Sequence, residues 1–237
     1  MRSKRKAAIL LICNKPLTSC MCNRYVSPDE AAMERAWHIG NRTPLRWPAM
    51  VVPRDQGPFL RASSPGKLEL VVGLWSLIPH WSDVPRLKFS TNNARSEELA
   101  AKPSFRDAWR AGQRCIIPAD SFDEPNWETG KNIWWRFRRA DGQPWALAGL
   151  YHPWVNKRTG EILETYTMLT VNADEHPLMS RMHKPDPALS PDQQDKRSVV
   201  AIETKDLEQW LQGSQAEAKE LFRPPAMEVI EASYAQS

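Results

Sequence analysis

Chemistry can be argued first from Cys22. It follows Met21, and cysteine is a small residue, the kind before which an initiator methionine is removed. A chain that starts at Cys22 carries two nucleophiles on one residue, an α-amine and a thiol. Asn93, Glu124 and His183 are also of types that serve catalysis. Each of the four has a plain structural reading as well. Cys22 fits a small buried hydrophobe, Asn93 a turn, Glu124 a surface carboxylate and His183 a hydrogen-bonded loop histidine. Cys22 with His183 would make the thiolate pair of a cysteine peptidase. Cys13, Cys20 and Cys22 lack the paired Cys-x-x-Cys and the second cluster that a zinc site uses. Trp134-Trp135-Arg136-Phe137-Arg138-Arg139 interleaves aromatics with arginines, as a non-catalytic single-stranded DNA-binding module would. A half-buried strand with solvated charges reads the same way.

The elements that must position these residues are short. Ser27-Pro28-Asp29-Glu30 predicts a capping box with proline at the first helical position, and Gly40 supplies the stop. Residues 41–66, rich in Pro, Arg and Ser, read as irregular, and 68–75 as a strand. Pro79 and Pro85 keep the segment around Ile78-Pro79-His80-Trp81 a loop. Ser96 can cap a helix over 96–111 that ends at Gly112. Strands are predicted at 114–117, 132–139, 145–151, 165–171 and 199–202, with Asp141-Gly142 as a hairpin turn. Thr204 caps a last helix that ends near Gly213. With no internal repeat and no linker, this order reads as one α+β domain over 21–225 and a C-terminal tail over 226–237.

Composition bounds the rest. The chain has 237 residues, 41% hydrophobic and 25% charged, which is ordinary globular usage. No apolar run approaches the roughly 18 residues a membrane-spanning helix needs. Its 11 Trp imply large contact surfaces, and its 20 Pro imply stiff connections. The net charge of +4 misleads, because residues 1–20 hold five basic residues and no acidic one. From Met21 onward the balance is 27 to 28, so a basic binding surface must be a local patch. The four cysteines have no framework spacing, which fits a reducing, cytoplasmic setting. Residues 1–20 have a charged start and an apolar run over 7–13, like a signal peptide. They lack a small-x-small cleavage site. The other reading is a leader that is trimmed or precedes the true start at Met21.

Four segments together carry a resemblance. Met21-Cys22-Asn23-Arg24-Tyr25, Thr91-Asn92-Asn93-Ala94-Arg95 followed by Glu97, Ser121-Phe122-Asp123-Glu124 after Arg114-Cys115-Ile116-Ile117-Pro118-Ala119, and Arg181-Met182-His183 lie in that order. They resemble the motifs of the SRAP family, SOS-response-associated peptidases that also cross-link to abasic sites in DNA. The resemblance runs from Met21 to about Ile202. It implies a mixed or antiparallel barrel-like β core with flanking helices and a DNA-binding groove. It also implies covalent capture of abasic sites in single-stranded DNA through Cys22. No cofactor or metal is expected, and the chain is read as a monomer without membrane contact, at work in the cytoplasm near the nucleoid.

The chemistry implied is consistent with these residues. An α-amine has a pKa near 7.7–8.0, against about 10.4 for lysine, so more of it is neutral and nucleophilic. It condenses with the aldehyde of an opened abasic sugar, and the thiol closes a five-membered thiazolidine. The resemblance gives Glu124 an acid/base role and His183 contact with the sugar oxygens. Asn93 holds the Cys22 end, Arg24, Arg95 and Arg197 meet DNA phosphates, and Trp81 is an aromatic wedge. The chain departs from the family pattern at Asn23, where glycine is usual, and at Pro125, where an aromatic is usual and Trp127 lies near. After His183 a polar insertion precedes Lys196-Arg197. Self-cleavage before Cys22, and general cysteine peptidase activity, are the competing enzymatic readings.

Overall fold

The structure, a computed structural model, describes residues 22–39 and 46–235. In chain order its elements are β1 (Arg24–Val26), α1 (Glu30–Trp37), β2 (Met50–Val51), β3 (Gln56–Ser64), β4 (Lys67–Trp75), β5 (Asn93–Arg95), α2 (Arg106–Arg110), β6 (Arg114–Ala119), β7 (Ser121–Asn126), β8 (Ile133–Arg139), β9 (Trp145–Val155), β10 (Ile162–Asn172), β11 (Arg197–Val199), α3 (Leu207–Gln212), α4 (Gln215–Lys219) and β12 (Ile230–Tyr234). The strands form two sheets. In one, β10, β4, β3, β6 and β9 follow in order, and β9 pairs back onto β10, so five strands close into a barrel. Strands β5 and β11 lie against the free part of β10. The second sheet runs β12-β8-β7-β1-β2 and is antiparallel throughout. The fold is α+β, as expected.

Strand alternation sorts the apolar residues into two cores. On β6, Cys115 and Ile117 join Phe59, Trp75, Trp145, Tyr166 and Met168 between the barrel and the second sheet. Ile116 points the other way, to Leu60, Leu150 and Leu169, where α2, α3 and α4 bring Trp109, Trp210 and Ala218. Burial on both faces explains why β6 is closed to water at every position. Buried indoles also tie elements together. Trp75 Nε1 donates to Asn92 O at 2.7 Å, and Trp210 Nε1 to Cys115 O at 2.8 Å.

Several expectations are corrected. Helix α1 is capped by Asp29, whose Oδ1 accepts from Ala32 N at 2.7 Å, and Ser27 instead donates to Pro28 O. Gly40 and residues 41–45 lie outside the described residues, as do 1–21. The span 41–66 contains β2 and all of β3, because Phe59 and Leu60 bury a strand that its Pro and Ser content disguised. The long helix over 96–111 is a 3-10 turn at Ser96–Glu98 and then α2, since Pro103 interrupts it. Asp141-Gly142 does form a turn, with Gly142 at φ +71, but β8 and β9 belong to different sheets and make no hairpin. The Thr204 helix is a 3-10 turn followed by α3. The 226–237 segment read as a tail contains β12, paired with β8 from Ile230↔Arg139 to Tyr234↔Trp135.

Closure of the barrel needs strands to approach closely at Gly149, on β9. A Cβ there would meet Thr167 O at 2.7 Å and Cys115 Sγ at 3.0 Å. We expect Gly149→Ala to lower the unfolding free energy by about 1–3 kcal/mol, read as a fall in the urea midpoint. An unchanged midpoint would show that the seam is not tight.

Candidate active site

Cys22 stands two residues before the start of β1 and is 1% exposed. Strand β1 pairs with β7 through Arg24↔Asp123 and Tyr25↔Phe122, which brings Cys22 alongside Glu124. Asn93 opens β5, a strand held parallel to β10 and fixed further by the Trp75–Asn92 bond. From there Asn93 Nδ2 donates to Cys22 O at 2.8 Å. The buried Asn93 Oδ1 has no partner among the described residues. The Cys22 thiol donates weakly to Arg24 O at 3.8 Å and lies within hydrogen-bonding reach of the Glu124 carboxylate.

Glu124 is 1% exposed, and its Oε2 is 2.9 Å from His183 Nε2. His183 is held from several sides. Its N–H donates to Pro125 O at 2.6 Å, and Met182 bridges to Asn126. The Lys196 ammonium donates to Met182 O at 2.7 Å and to His183 O at 3.0 Å. These contacts maintain a φ of +65 at His183, a left-handed conformation that costs a non-glycine residue roughly 1–3 kcal/mol. The ring's other nitrogen, Nδ1, is buried and unpartnered among the described residues.

The electrostatics follow from burial. Desolvation, then the nearby Glu124 charge, push the Cys22 thiol well above its usual range, so it is a neutral thiol near neutral pH. Burial likewise raises Glu124, against the pull of His183. Next to Glu124, Asp123 sits between two guanidiniums. Arg24 Nε approaches it at 2.8 Å, and Arg136 gives it a bidentate pair at 2.8 and 3.0 Å.

The structure thus brings Cys22, Asn93, Glu124 and His183 into one linked cluster, with Arg24 beside it. Arg95 lies on β5 with its guanidinium 2.5 Å from Asp195. Arg197 is not available to phosphate. It is 1% exposed and bonded to Glu97 at 2.6 and 2.9 Å, to Asp195 and to Thr170 O, so it braces β10 and β11. Trp81 is 43% exposed, donates to Pro103 O at 3.3 Å, and is not part of the hydrogen-bonded cluster. Trp127, the aromatic nearest Pro125 in sequence on that side, has the Lys184 ammonium 5.0 Å from its ring centre. Sequence reasoning missed Asp123, Arg136 and Lys196. The alternation of β7 and β8 held the signal for the first two, since facing strands place 123 opposite 136. Among the described residues no cluster of three or more His, Cys, Asp or Glu could hold a metal. Cys13 and Cys20 fall outside those residues. No helix among them is long and apolar enough to cross a membrane.

A five-stranded barrel with a cysteine–asparagine–glutamate–histidine cluster at the edge of a second sheet matches a known class. The family model for SOS response associated peptidase (SRAP) covers residues 21–235, and the chain belongs to that family. Its relatives include the abasic site processing protein YoqW of Bacillus subtilis (strain 168), 37% identical over 123 residues, which are 52% of this chain and 53% of that one. The abasic site processing protein HMCES of Gallus gallus is 27% identical over 176 residues, 63% of this chain and 48% of that one. The chain therefore spans about half the length of the curated relatives it matches. A crystal structure of a Bordetella bronchiseptica protein superposes with a TM-score of 0.80 at 32% identity, covering 91% of this chain and all of that one.

Two outcomes are expected. Because burial raises the folded-state pKa of Glu124, its ionised form costs stability. That cost is absent below the ordinary carboxylate range and complete once pH exceeds the folded value. Glu124→Gln should therefore be more stable than wild type at pH 7, with the gap narrowing toward pH 4 in urea melts. A gap that widens on acidification would contradict this. Lys196→Met strands two carbonyl oxygens and should cost about 1–3 kcal/mol, measured the same way.

Proposed function

We infer that this protein processes abasic sites in DNA by covalent capture through Cys22. The observation that carries this reading is the chain of contacts from Asn93 to Cys22 O, and from the Cys22 thiol through Glu124 to His183. Asn93 holds the main chain of Cys22, which orients its amine and thiol without using either. In a chain beginning at Cys22, the amine attacks the aldehyde carbon of the opened sugar. The resulting carbinolamine loses water to give a Schiff base. The thiol then adds to the same carbon, its proton passes to nitrogen, and a thiazolidine closes with one water lost overall.

Glu124 supplies the protons. A carboxyl group raised by burial carries a proton nearer neutral pH and can give it to the departing hydroxyl. His183, bonded to Glu124 through Nε2, keeps Nδ1 for a sugar oxygen. The substrate is single-stranded DNA, where the sugar is not hidden in a stack, and the setting is the response to DNA damage. Arg24, Arg95 and Trp81 are the contacts we assign to the strand.

Peptidase action on other proteins is the weaker reading. A cysteine peptidase needs a thiolate stabilised by a neighbouring imidazole. Here the thiol is raised in pKa, and the carboxylate of Glu124 takes the imidazole Nε2. Removal of the residues before Cys22 remains the one cleavage the covalent chemistry requires.

The test is the intact mass of a chain beginning at Cys22 after incubation with a single-stranded oligonucleotide bearing one abasic site. The expected product is protein plus DNA less one water, stable without reductant. Cys22→Ser keeps an amine and loses the thiol, so its adduct should survive only after borohydride reduction. Glu124→Gln should slow adduct formation by roughly 100-fold or more. Absence of any adduct from the wild-type chain would sink the reading.

A further inference from the structure

We propose that the face of the second sheet turned away from the Phe122–Phe137 core carries a phosphodiester subsite, built from Arg24, Arg136 and Trp134 and set by Asp123. It rests on the reading above that the substrate is a DNA strand, and it specifies where that strand runs. Register places the parts. Arg24, Asp123 and Arg136 are directly opposite one another on β1, β7 and β8, and Pro125 faces Trp134 one pair further along. Directly opposed residues share a face, and so do residues two apart on one strand. The other face holds Phe122 stacked on Phe137 at 5.2 Å. The geometry therefore divides the mixed stretch 134–139 by side: Trp135 and Phe137 pack on the core, while Trp134, Arg136 and Arg138 alternate on the opposite face.

The arrangement exceeds what packing requires. Asp123 is 1% exposed, and a carboxylate so placed destabilises the fold unless it is paired. One arginine would neutralise it, yet two engage it, which leaves a net positive charge at a surface where both side chains reach water, 22% for Arg24 and 16% for Arg136. Arg24 Nε faces Asp123 as an ion pair at 2.8 Å, and Arg136 donates to it through Nε and Nη2. Among the described residues no hydrogen bond engages the terminal nitrogens of Arg24 or Nη1 of Arg136. Guanidinium N–H groups of this kind suit a phosphate's paired oxygens. The Arg24 guanidinium lies 4.1 Å from the centre of the Trp134 ring, so charge and an aromatic surface meet at one point. That point is two residues from Cys22 in sequence and one from Glu124 along β7, and alternation turns the Glu124 side chain to the other face of the sheet. A nucleotide that flanks the abasic sugar and passes round the end of β1 falls there, its phosphate on the arginines and its base against Trp134. Asp123 is a positioning residue, and it touches no DNA.

The test uses an unmodified single-stranded oligothymidylate and fluorescence anisotropy across a salt series, with folding checked by circular dichroism. Arg136→Gln should flatten the slope of log K against log salt by about 0.7, one phosphate contact on a single strand. Trp134→Ala should weaken binding about fivefold or more with the slope unchanged, because stacking releases no counterions. Arg138→Gln removes the same charge from the same strand and face but outside the subsite, and its slope should match wild type. Equal flattening in Arg138→Gln and Arg136→Gln, or wild-type slope in Arg136→Gln together with wild-type affinity in Trp134→Ala, would overturn the subsite. The abasic-site adduct separates the two levels. Adduct formation with unaltered Arg136 and Trp134 variants defeats the subsite alone. A wild-type chain that neither binds oligothymidylate nor forms adduct defeats both.

Discussion

A carboxylate held away from water is the constraint around which this molecule is arranged. Glu124 sits on a strand interior at 1% exposure, where an ionised group is strongly disfavoured unless its surroundings answer it. The answer comes from separate parts of the chain. His183 approaches after β10, Cys22 before β1, and the main chain on either side of Glu124 is locked by Asp123 and Pro125. His183 and Cys22 are far from Glu124 in sequence, so the sheet that carries β1, β7 and β8 must form before the cluster exists. The barrel supplies what that sheet lacks. Through β10 it carries β5, hence Asn93, to the carbonyl of Cys22.

Proline, the residue type that most obscured the strands, has a specific place here. β7 lies between β1 and β8, yet β1 pairs only with 121–123. Pro125 comes after β1 has ended, so its missing N–H leaves no ladder position unfilled. Its carbonyl is then free to take the N–H of His183. A residue that argues against a strand on propensity is thus the one that docks the histidine. The departure at Pro125 and the distinct path after His183 belong together.

The sequence was legible where the signal is local. Strands at 114–117, 132–139 and 165–171, the stop at Gly112 and the four residue types of the cluster could all be read from periodicity, turns and motif order. The long-range pairings could not. Which sheet β9 joins, that β12 closes onto β8, and that Asp123 faces two arginines depend on register between segments far apart in the chain. Arg197 shows the same limit in reverse. Its type suits phosphate binding, but its burial among Glu97, Asp195 and Thr170 O is a tertiary fact. Charge alone does not distinguish a brace from a ligand.

The insertion between His183 and Lys196 closes on itself. The Gln194 side chain donates to Asp186 O, Leu189 O and Ser190 O, and its Oε1 accepts from Asp186 N. Its exit is clamped where Lys196 grips the two carbonyls at 182 and 183. A segment built this way is insulated from the machinery it interrupts. Variation in its length or lettering between 186 and 194 is absorbed within its own turn, and the histidine upstream keeps its pose. Such a segment can diverge or acquire a foreign peptide while the geometry of the Glu124–His183 pair is inherited intact.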